Sequence, residues 1–240
     1  GLNINYVLCD PPLQASGDAR AFVDFSAVLK SDIICLHTPL VVGGAHATMH
    51  LLDQQALSEI NERQYLINAC RGEVIDNNAL LKCFKAGQKL NVVLDVWENE
   101  PFIDHQLIPY LRIATAHIAG HTLEGKARGT SMVYDAFCAR LNQQKNKKLA
   151  QFLPDFDTQV SLNSSLSPFL QLYQLLKQMY DIKKDDSIFR SRMAKSEAFT
   201  EIRKYYPVRR EFSAAELIFS AKDNKNVAKI AASIGFTIAN

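Results

Sequence analysis

Tyr65-Leu-Ile-Asn-Ala-Cys-Arg-Gly-Glu-Val-Ile-Asp76, continued by Asn77-Asn-Ala-Leu-Leu-Lys-Cys-Phe-Lys-Ala86, Gly87 and Leu90-Asn-Val-Val-Leu-Asp95, decides the fold. An apolar run of strand length, Tyr65 to Asn68, leads into a helical spacing over Asn77 to Ala86. Gly87 closes that helix, and a second apolar run, Leu90 to Asp95, follows it. Strand, crossover helix and strand make a βαβ unit, and successive units of this kind build a parallel sheet. The alternation extends outward in both directions. Ile4 to Cys9 and Ile33 to His37 read as further strands, Phe22 to Leu29 and Leu51 to Ile60 as amphipathic helices, and Arg112 to Ala116 as a last strand. The helical spacing from Thr122 to Leu141 is longer than a crossover needs and reads as a bridge to another part of the molecule.

Asn142-Gln-Gln-Lys-Asn-Lys-Lys-Leu149 is polar and has no apolar period, which suits an exposed linker. The expected organisation is therefore an α/β domain over residues 1–142, a linker at 143–149 and a small α+β domain over 150–240. In the last of these, a strand is expected near Gln159 to Leu162 and a helix from Pro168 to Tyr180. Further pieces are expected at Ser187 to Arg192, Glu197 to Tyr205, Glu216 to Ser220, Asn224 to Ile234 and Phe236 to Ala239. Its basic pairs Lys183-Lys184, Arg203-Lys204 and Arg209-Arg210 stand beside Asp185, Asp186 and Glu211, and read as solvated, salt-bridged faces.

Composition narrows the function classes. The 240 residues suffice for a sizeable core. Net charge is only +2 and the basic residues are interspersed with acids, so a nucleic-acid partner is not expected. No apolar stretch approaches the roughly 18 residues of a membrane span, so no membrane partner is expected either. The five cysteines, Cys9, Cys35, Cys70, Cys83 and Cys138, form no CxxC pair and sit in apolar runs. They read as reduced, buried thiols of a cytoplasmic protein, and no metal-ligand set is expected.

Chemistry concentrates where strands end, which is where an open parallel sheet holds its ligands. Asp10 ends the first expected strand before Pro11-Pro12. An acid there either accepts hydrogen bonds from the ribose hydroxyls of a dinucleotide, favouring NAD, or simply caps a turn. Thr38, in His37-Thr-Pro-Leu40, is placed for a nicotinamide-ribose contact or for turn chemistry. Arg71 follows a strand, and Gly72 lets the backbone turn so that the guanidinium can grip a carboxylate bidentately. Asp95 ends a nearly all-apolar strand and needs a partner, a role that a carboxamide or ribose could fill. Glu100, before Pro101, can accept from an imidazole and fix its tautomer, although Glu98 competes for that role. His117, followed by Ile-Ala-Gly120, is the best proton-transfer candidate among the six histidines. His46, His50 and His105 read as surface or packing residues.

These stretches resemble the D-isomer-specific 2-hydroxyacid dehydrogenases. The resemblance rests on Cys9-Asp-Pro-Pro12, His37-Thr-Pro-Leu40, Leu66-Ile-Asn-Ala-Cys-Arg-Gly72, Val92-Val-Leu-Asp-Val-Trp-Glu98, His117-Ile-Ala-Gly120 and Thr122-Leu-Glu-Gly-Lys-Ala-Arg-Gly-Thr130. Arg-Gly, Glu-Pro and His-Ile belong to the broad family; Cys-Asp-Pro-Pro and Leu-Glu-Gly-Lys-Ala-Arg-Gly point to a narrower branch. The resemblance implies a partial doubly wound, Rossmann-like sheet, followed by a small α+β dimerisation domain that makes the protein a homodimer. It implies that Arg71 orients the substrate, His117 exchanges the hydroxyl proton and Glu100 supports His117, with NAD held by Asp10, Thr38, Ala69, Cys70, Arg71, Asp95 and Gly120. For the narrower branch the implied substrate is a small phosphorylated hydroxy acid, 4-phospho-D-erythronate, oxidised to 3-hydroxy-2-oxo-4-phosphooxybutanoate in pyridoxal phosphate synthesis. One departure stands out: the family usually carries tyrosine at a substrate-contacting position after His-Ile-Ala-Gly, and here it is His121.

A glycine-rich phosphate loop, G-x-G-x-x-G, does not precede Asp10. The chain is accordingly expected to be the C-terminal portion of a longer polypeptide and to turn over poorly alone. Two other readings stay open: a dehydrogenase for another D-2-hydroxy acid such as phosphoglycerate, and a non-catalytic NAD-sensing protein on the same fold.

Overall fold

Asp76 begins the central crossover helix by accepting the Ala79 N–H at 2.9 Å, and Gly87, at φ +88°, lets the chain reverse out of it. Local devices of this kind recur along the chain. The computed structural model describes residues 4–155, 159–193, 198–218 and 224–239. Up to residue 119 the elements are α1 (Pro11–Ala15), α2 (Phe25–Val28), β1 (Ile33–Leu36), α3 (Gln54–Glu59), β2 (Tyr65–Asn68), α4 (Asn77–Lys85), β3 (Asn91–Leu94) and β4 (Ile113–Ala114), with 3-10 turns at Gly72–Val74 and His105–Tyr110. Beyond them come α5 (Leu123–Arg140), β5 (Gln159–Ser161), α6 (Pro168–Met179), α7 (Ile182–Arg192), α8 (Ala198–Lys204), β6 (Glu216–Ile218), α9 (Lys225–Ser233) and β7 (Thr237–Ala239).

Two compact units emerge, and they do not follow the order of the chain: Asn5–Ala119 clusters with Lys183–Tyr205, and Gly120–Ile182 with Tyr206–Asn240. In the first, β1-β2-β3-β4 form a wholly parallel sheet in chain order. Right-handed crossovers in such an order lay α3 and α4 on one face. Ile34, Leu36, Leu66, Val92 and Leu94 point to that face and are buried with Leu57 and Leu80. The alternate residues are more open: Ile33 is 58% exposed and Tyr65 45%. This overturns part of the expectation for the thiols, because Cys35 lies on the open face and is exposed, while Cys83 and Cys138 are buried.

The segment 183–205 joins this unit through apolar stacking. Phe189 stacks on Trp97 with ring centroids 5.4 Å apart, and meets Phe199 edge-on. Asp186 accepts the Ala114 N–H of β4 at 2.8 Å, and Arg190 donates to the carbonyls of Ile108 and Leu111. The expected division at 143–149 thus separates residues in sequence that packing reunites.

The expected first strand, Ile4 to Cys9, is absent: Asn5–Cys9 run without a ladder partner among the described residues, and Tyr6 is 79% exposed. A strand exists only where a neighbour satisfies its backbone. Several other elements are shorter than the periodicity suggests, Phe22 to Leu29 contracting to the four residues of α2. Glu197, Phe219 and Ser220, within two of the expected pieces, lie outside the described residues.

In the second unit, β5-β6-β7 form a three-stranded parallel sheet over a core of Val160, Leu175, Leu217, Ala231 and Phe236. Arg210 is not on a solvated face, contrary to the expectation for the basic pairs. It pairs with Glu124 of α5, the two side chains being only 8% and 6% exposed. The Glu211 N–H adds a second donor to Glu124 at 2.9 Å. A buried carboxylate requires such compensation. Burial pushes the Glu124 carboxyl up, but the Arg210 and Glu211 hydrogen bonds outweigh it and hold the group below the ordinary glutamate range. No helix is long and apolar enough to cross a membrane among the described residues.

Candidate active site at the carboxyl ends of the strands

β2, β3 and β4 lie side by side, so the residues that follow them emerge on one edge of the sheet about 5 Å apart per strand. Arg71, Asp95 and His117 are those residues.

Asn68 closes β2 and organises the next turn. Its side chain accepts the Cys70 N–H at 3.1 Å and donates to the Arg71 carbonyl at 2.9 Å. Arg71 is then exposed. Its guanidinium donates to the neighbouring Cys70 carbonyl at 2.6 Å and forms no ion pair among the described residues, leaving a cation available to an anionic ligand. Gly72 is needed for close approach, not for an unusual φ: a Cβ there would lie 1.9 Å from the carbonyl carbon of Trp97 and 2.5 Å from the Glu98 nitrogen. Arg71 is therefore seated on the loop that follows β3.

Asp95 is buried, and the protein itself supplies its partners. Oδ1 accepts from the Thr115 hydroxyl at 2.6 Å and the Ile118 N–H at 2.8 Å, while Oδ2 accepts the Ala119 N–H at 2.8 Å. The burial of this carboxylate is thus met from within the protein. Asp95 also builds the turn that carries His117, whose own N–H donates to the Asp95 carbonyl at 2.6 Å. His117 takes φ +55°, in the left-handed region that non-glycine residues enter only when the surroundings enforce it.

Glu100 meets His117: Oε2 lies 2.8 Å from Nδ1, with the side chains 20% and 32% exposed. Oε1 accepts the Trp97 N–H at 2.9 Å, which fixes the carboxylate plane. With Nδ1 occupied, Nε2 of His117 has no hydrogen-bond partner among the described residues and is open to a ligand. Glu98, the sequence competitor, turns elsewhere, to His50 Nε2 at 2.6 Å. His50 was expected to be a surface or packing residue, and the structure makes it a hydrogen-bond partner of a carboxylate. No sequence signal separates it from His46, because its partner is 48 residues away.

At the end of β1 the Thr38 hydroxyl is buried without a hydrogen-bond partner among the described residues. Such an orphaned group is what a ligand oxygen or nitrogen would satisfy, so the residues present fit a bound nucleotide at this edge. Asp10 does not end a strand; one of its oxygens caps α1 through the Leu13 N–H at 3.0 Å, and the other makes no hydrogen bond among the described residues. Ala69 and Cys70 lie in the turn that Asn68 holds. Gly120 and His121 belong to the second unit, where His121 meets Tyr206 edge-on at 5.9 Å.

Comparison with known proteins bears on this arrangement. Residues 1–119 match the family described as "D-isomer specific 2-hydroxyacid dehydrogenase, NAD binding domain", and residues 152–233 match a domain of unknown function, DUF3410. The erythronate-4-phosphate dehydrogenase of Pseudoalteromonas atlantica is 51% identical over 89% of this chain and 57% of its own length. That of Tolumonas auensis is 42% identical over 97% of this chain and 62% of its own. The chain thus spans about three fifths of these relatives. Among solved structures, the NAD-complexed D-isomer specific 2-hydroxyacid dehydrogenase of Lactobacillus delbrueckii ssp. bulgaricus is 26% identical, with a TM-score of 0.43, over 52% of this chain and 42% of that one. Residues 1–119 are thus similar to the NAD-binding domain of the D-isomer-specific 2-hydroxyacid dehydrogenases, and the likeness to relatives above 40% identity extends across most of the chain.

Proposed function

We propose that the protein oxidises 4-phospho-D-erythronate to 3-hydroxy-2-oxo-4-phosphooxybutanoate with NAD, a step of pyridoxal phosphate synthesis. The observation that carries this reading is the Glu100–His117 pair at the same sheet edge as Arg71, whose guanidinium has no carboxylate partner among the described residues. Arg71 holds the substrate carboxylate, and the fixed planar fork suits a bidentate grip. Glu100 keeps Nδ1 of His117 protonated, so Nε2 faces the substrate as the acceptor of the hydroxyl proton. Bound NAD supplies the hydride acceptor at the same carbon. Asp10, Thr38, Ala69, Cys70, Arg71, Asp95 and Gly120 are the residues proposed to hold it, and the orphaned Thr38 hydroxyl supports this placement. His121 is proposed to donate to the substrate phosphate or carboxylate in the place of the usual tyrosine. Most of the protein's contribution is positioning.

The same reading gives the protein a second copy of itself as partner, through the second unit, and a cytoplasmic setting. Met132, Val133, Phe137 and Phe169 on α5 and α6 are exposed apolar residues that support such a contact. The dispersed charge supports the absence of a nucleic-acid partner.

His117→Ala in a complete chain tests the reading. It is expected to lower NADH formation from 4-phospho-D-erythronate by about 10²–10⁴-fold, the usual worth of a positioned base, while calorimetric titration finds NAD binding within about twofold of the parent. Turnover that survives the substitution would show that another group takes the proton.

A further inference from the structure

Glu98 and Glu100 share one short loop, yet only Glu100 faces the imidazole that the proposed chemistry uses. Glu98 Oε1 lies 2.6 Å from His50 Nε2, and His50 Nδ1 lies 3.8 Å from Asp76 Oδ2. Nε2 is within hydrogen-bonding reach of Glu98, whereas the separation from Asp76 is too long for a hydrogen bond. The remaining carboxylate oxygens are also in use: Glu98 Oε2 accepts the Asn77 N–H at 2.8 Å, and Asp76 Oδ1 accepts the Ala79 N–H at 2.9 Å. Each of the two acids at the amino end of α4 therefore accepts a helix amide, and Glu98 meets the imidazole as well.

His50 is fastened by its backbone as well. Its N–H donates to the Glu73 carbonyl at 2.7 Å, the Leu52 N–H to the Val74 carbonyl at 3.0 Å, and the Asp76 N–H to the Leu52 carbonyl at 3.1 Å. Its φ of +53° is unusual for histidine and persists because these contacts enforce it. One side chain consequently ties together the 48–52 loop, the 72–76 turn and the 97–100 loop. The last two carry the groups of interest. Trp97 N–H and Glu100 Oε1 are 2.9 Å apart in the same loop, and the Arg71-Gly72 turn lies flat against the Trp97 carbonyl.

We propose that His50 and Glu98 are positioning residues: their hydrogen bond pins the 97–100 loop to the amino end of α4 and thereby holds Glu100 on His117. Neither touches the reacting atoms. The proposal rests on the reading of Glu100 and His117 as the proton-exchange pair, and its failure can be told apart from the failure of that reading.

The His117 Nδ1 proton, observed by NMR in 15N-labelled protein, reports the Glu100 contact directly. His50→Asn tolerates the positive φ and is too short to reach Glu98. It is expected to speed exchange of that proton with water by about tenfold, as expected for a loosened charge-assisted hydrogen bond. His50→Gln, which can still donate to Glu98, is expected to restore slow exchange. Exchange unchanged in a folded His50→Asn protein overturns the proposal. Should that variant not fold, Glu98→Ala takes its place with the same expectation, and slow exchange in it overturns the proposal equally. Glu100→Gln is the control: if the resonance keeps its shift and slow exchange there, the Glu100–His117 reading itself fails, whereas loss in Glu100→Gln with retention in His50→Asn condemns only the positioning role.

Discussion

Replacing Gly72 by alanine adds a single methyl group, and the structure says where it must go. The new Cβ would lie 1.9 Å from both the carbon and the oxygen of the Trp97 carbonyl. Carbon atoms in contact sit about 3.5–4.0 Å apart, so the turn and the loop must separate by roughly 1.5 Å. Both neighbours are backbone, and neither can swing aside as a side chain would. Trp97 is itself held on three sides: its indole Nε1 donates to the Thr115 carbonyl at 2.8 Å, its N–H to Glu100, and its ring stacks on Phe189. Overpacking of this kind costs about 1–3 kcal/mol. Displacing a substrate-holding group by about 1 Å costs roughly 10²-fold in rate. Gly72→Ala should therefore lower the urea midpoint of the first unit and, on the proposed role of Arg71, reduce turnover on the hydroxy acid about a hundredfold in a complete chain. Urea titration followed by Trp97 fluorescence is a direct assay, because Trp97 is the sole tryptophan. A variant with parental midpoint and parental turnover would refute the seating of Arg71 on the 97–98 backbone.

Two other substitutions probe the packing. Phe189 is 1% exposed and stacked on Trp97, so Phe189→Ala should destabilise by about 3–5 kcal/mol and shift the Trp97 emission; an unchanged spectrum would separate residues 183–205 from the first unit. In the second unit Glu124→Gln removes one partner of a buried pair, for which about 3–5 kcal/mol is expected, read by calorimetry. The acid limb of stability should change with it. The folded Glu124 carboxyl lies below its unfolded value, so its contribution is complete above about pH 4.3, the ordinary glutamate range. That contribution is lost as pH falls through the lower, folded value. A parent and a Glu124→Gln variant with the same acid profile would contradict this.

Glu98 and Glu100 mark where the sequence stops speaking. Both are carboxylates in one loop, both precede Pro101, and each could meet a histidine; only the course of the 97–100 backbone sends one to His117 and the other to His50. Asp10 shows the same limit in reverse. An acid after an apolar run and before two prolines suits a strand end as well as a helix cap, and the missing ladder partner decides for the cap. Asp95 was legible as a buried strand-end acid, but its three donors come from 20 to 24 residues further on, beyond the reach of any local pattern.

By itself the sequence determined the parallel βαβ order and the positions of Arg71, Glu100 and His117 at strand ends. It could do so because the apolar period and the stop at Gly87 act between residues only a few positions apart. The tertiary structure alone decided which carboxylate serves which imidazole, that Asp95 is satisfied from within, that His50 is a hydrogen-bond partner of a carboxylate, and that 183–205 packs with the first unit. Those outcomes depend on side chains separated by tens of residues, whose meeting is set by how the strands and their loops are stacked.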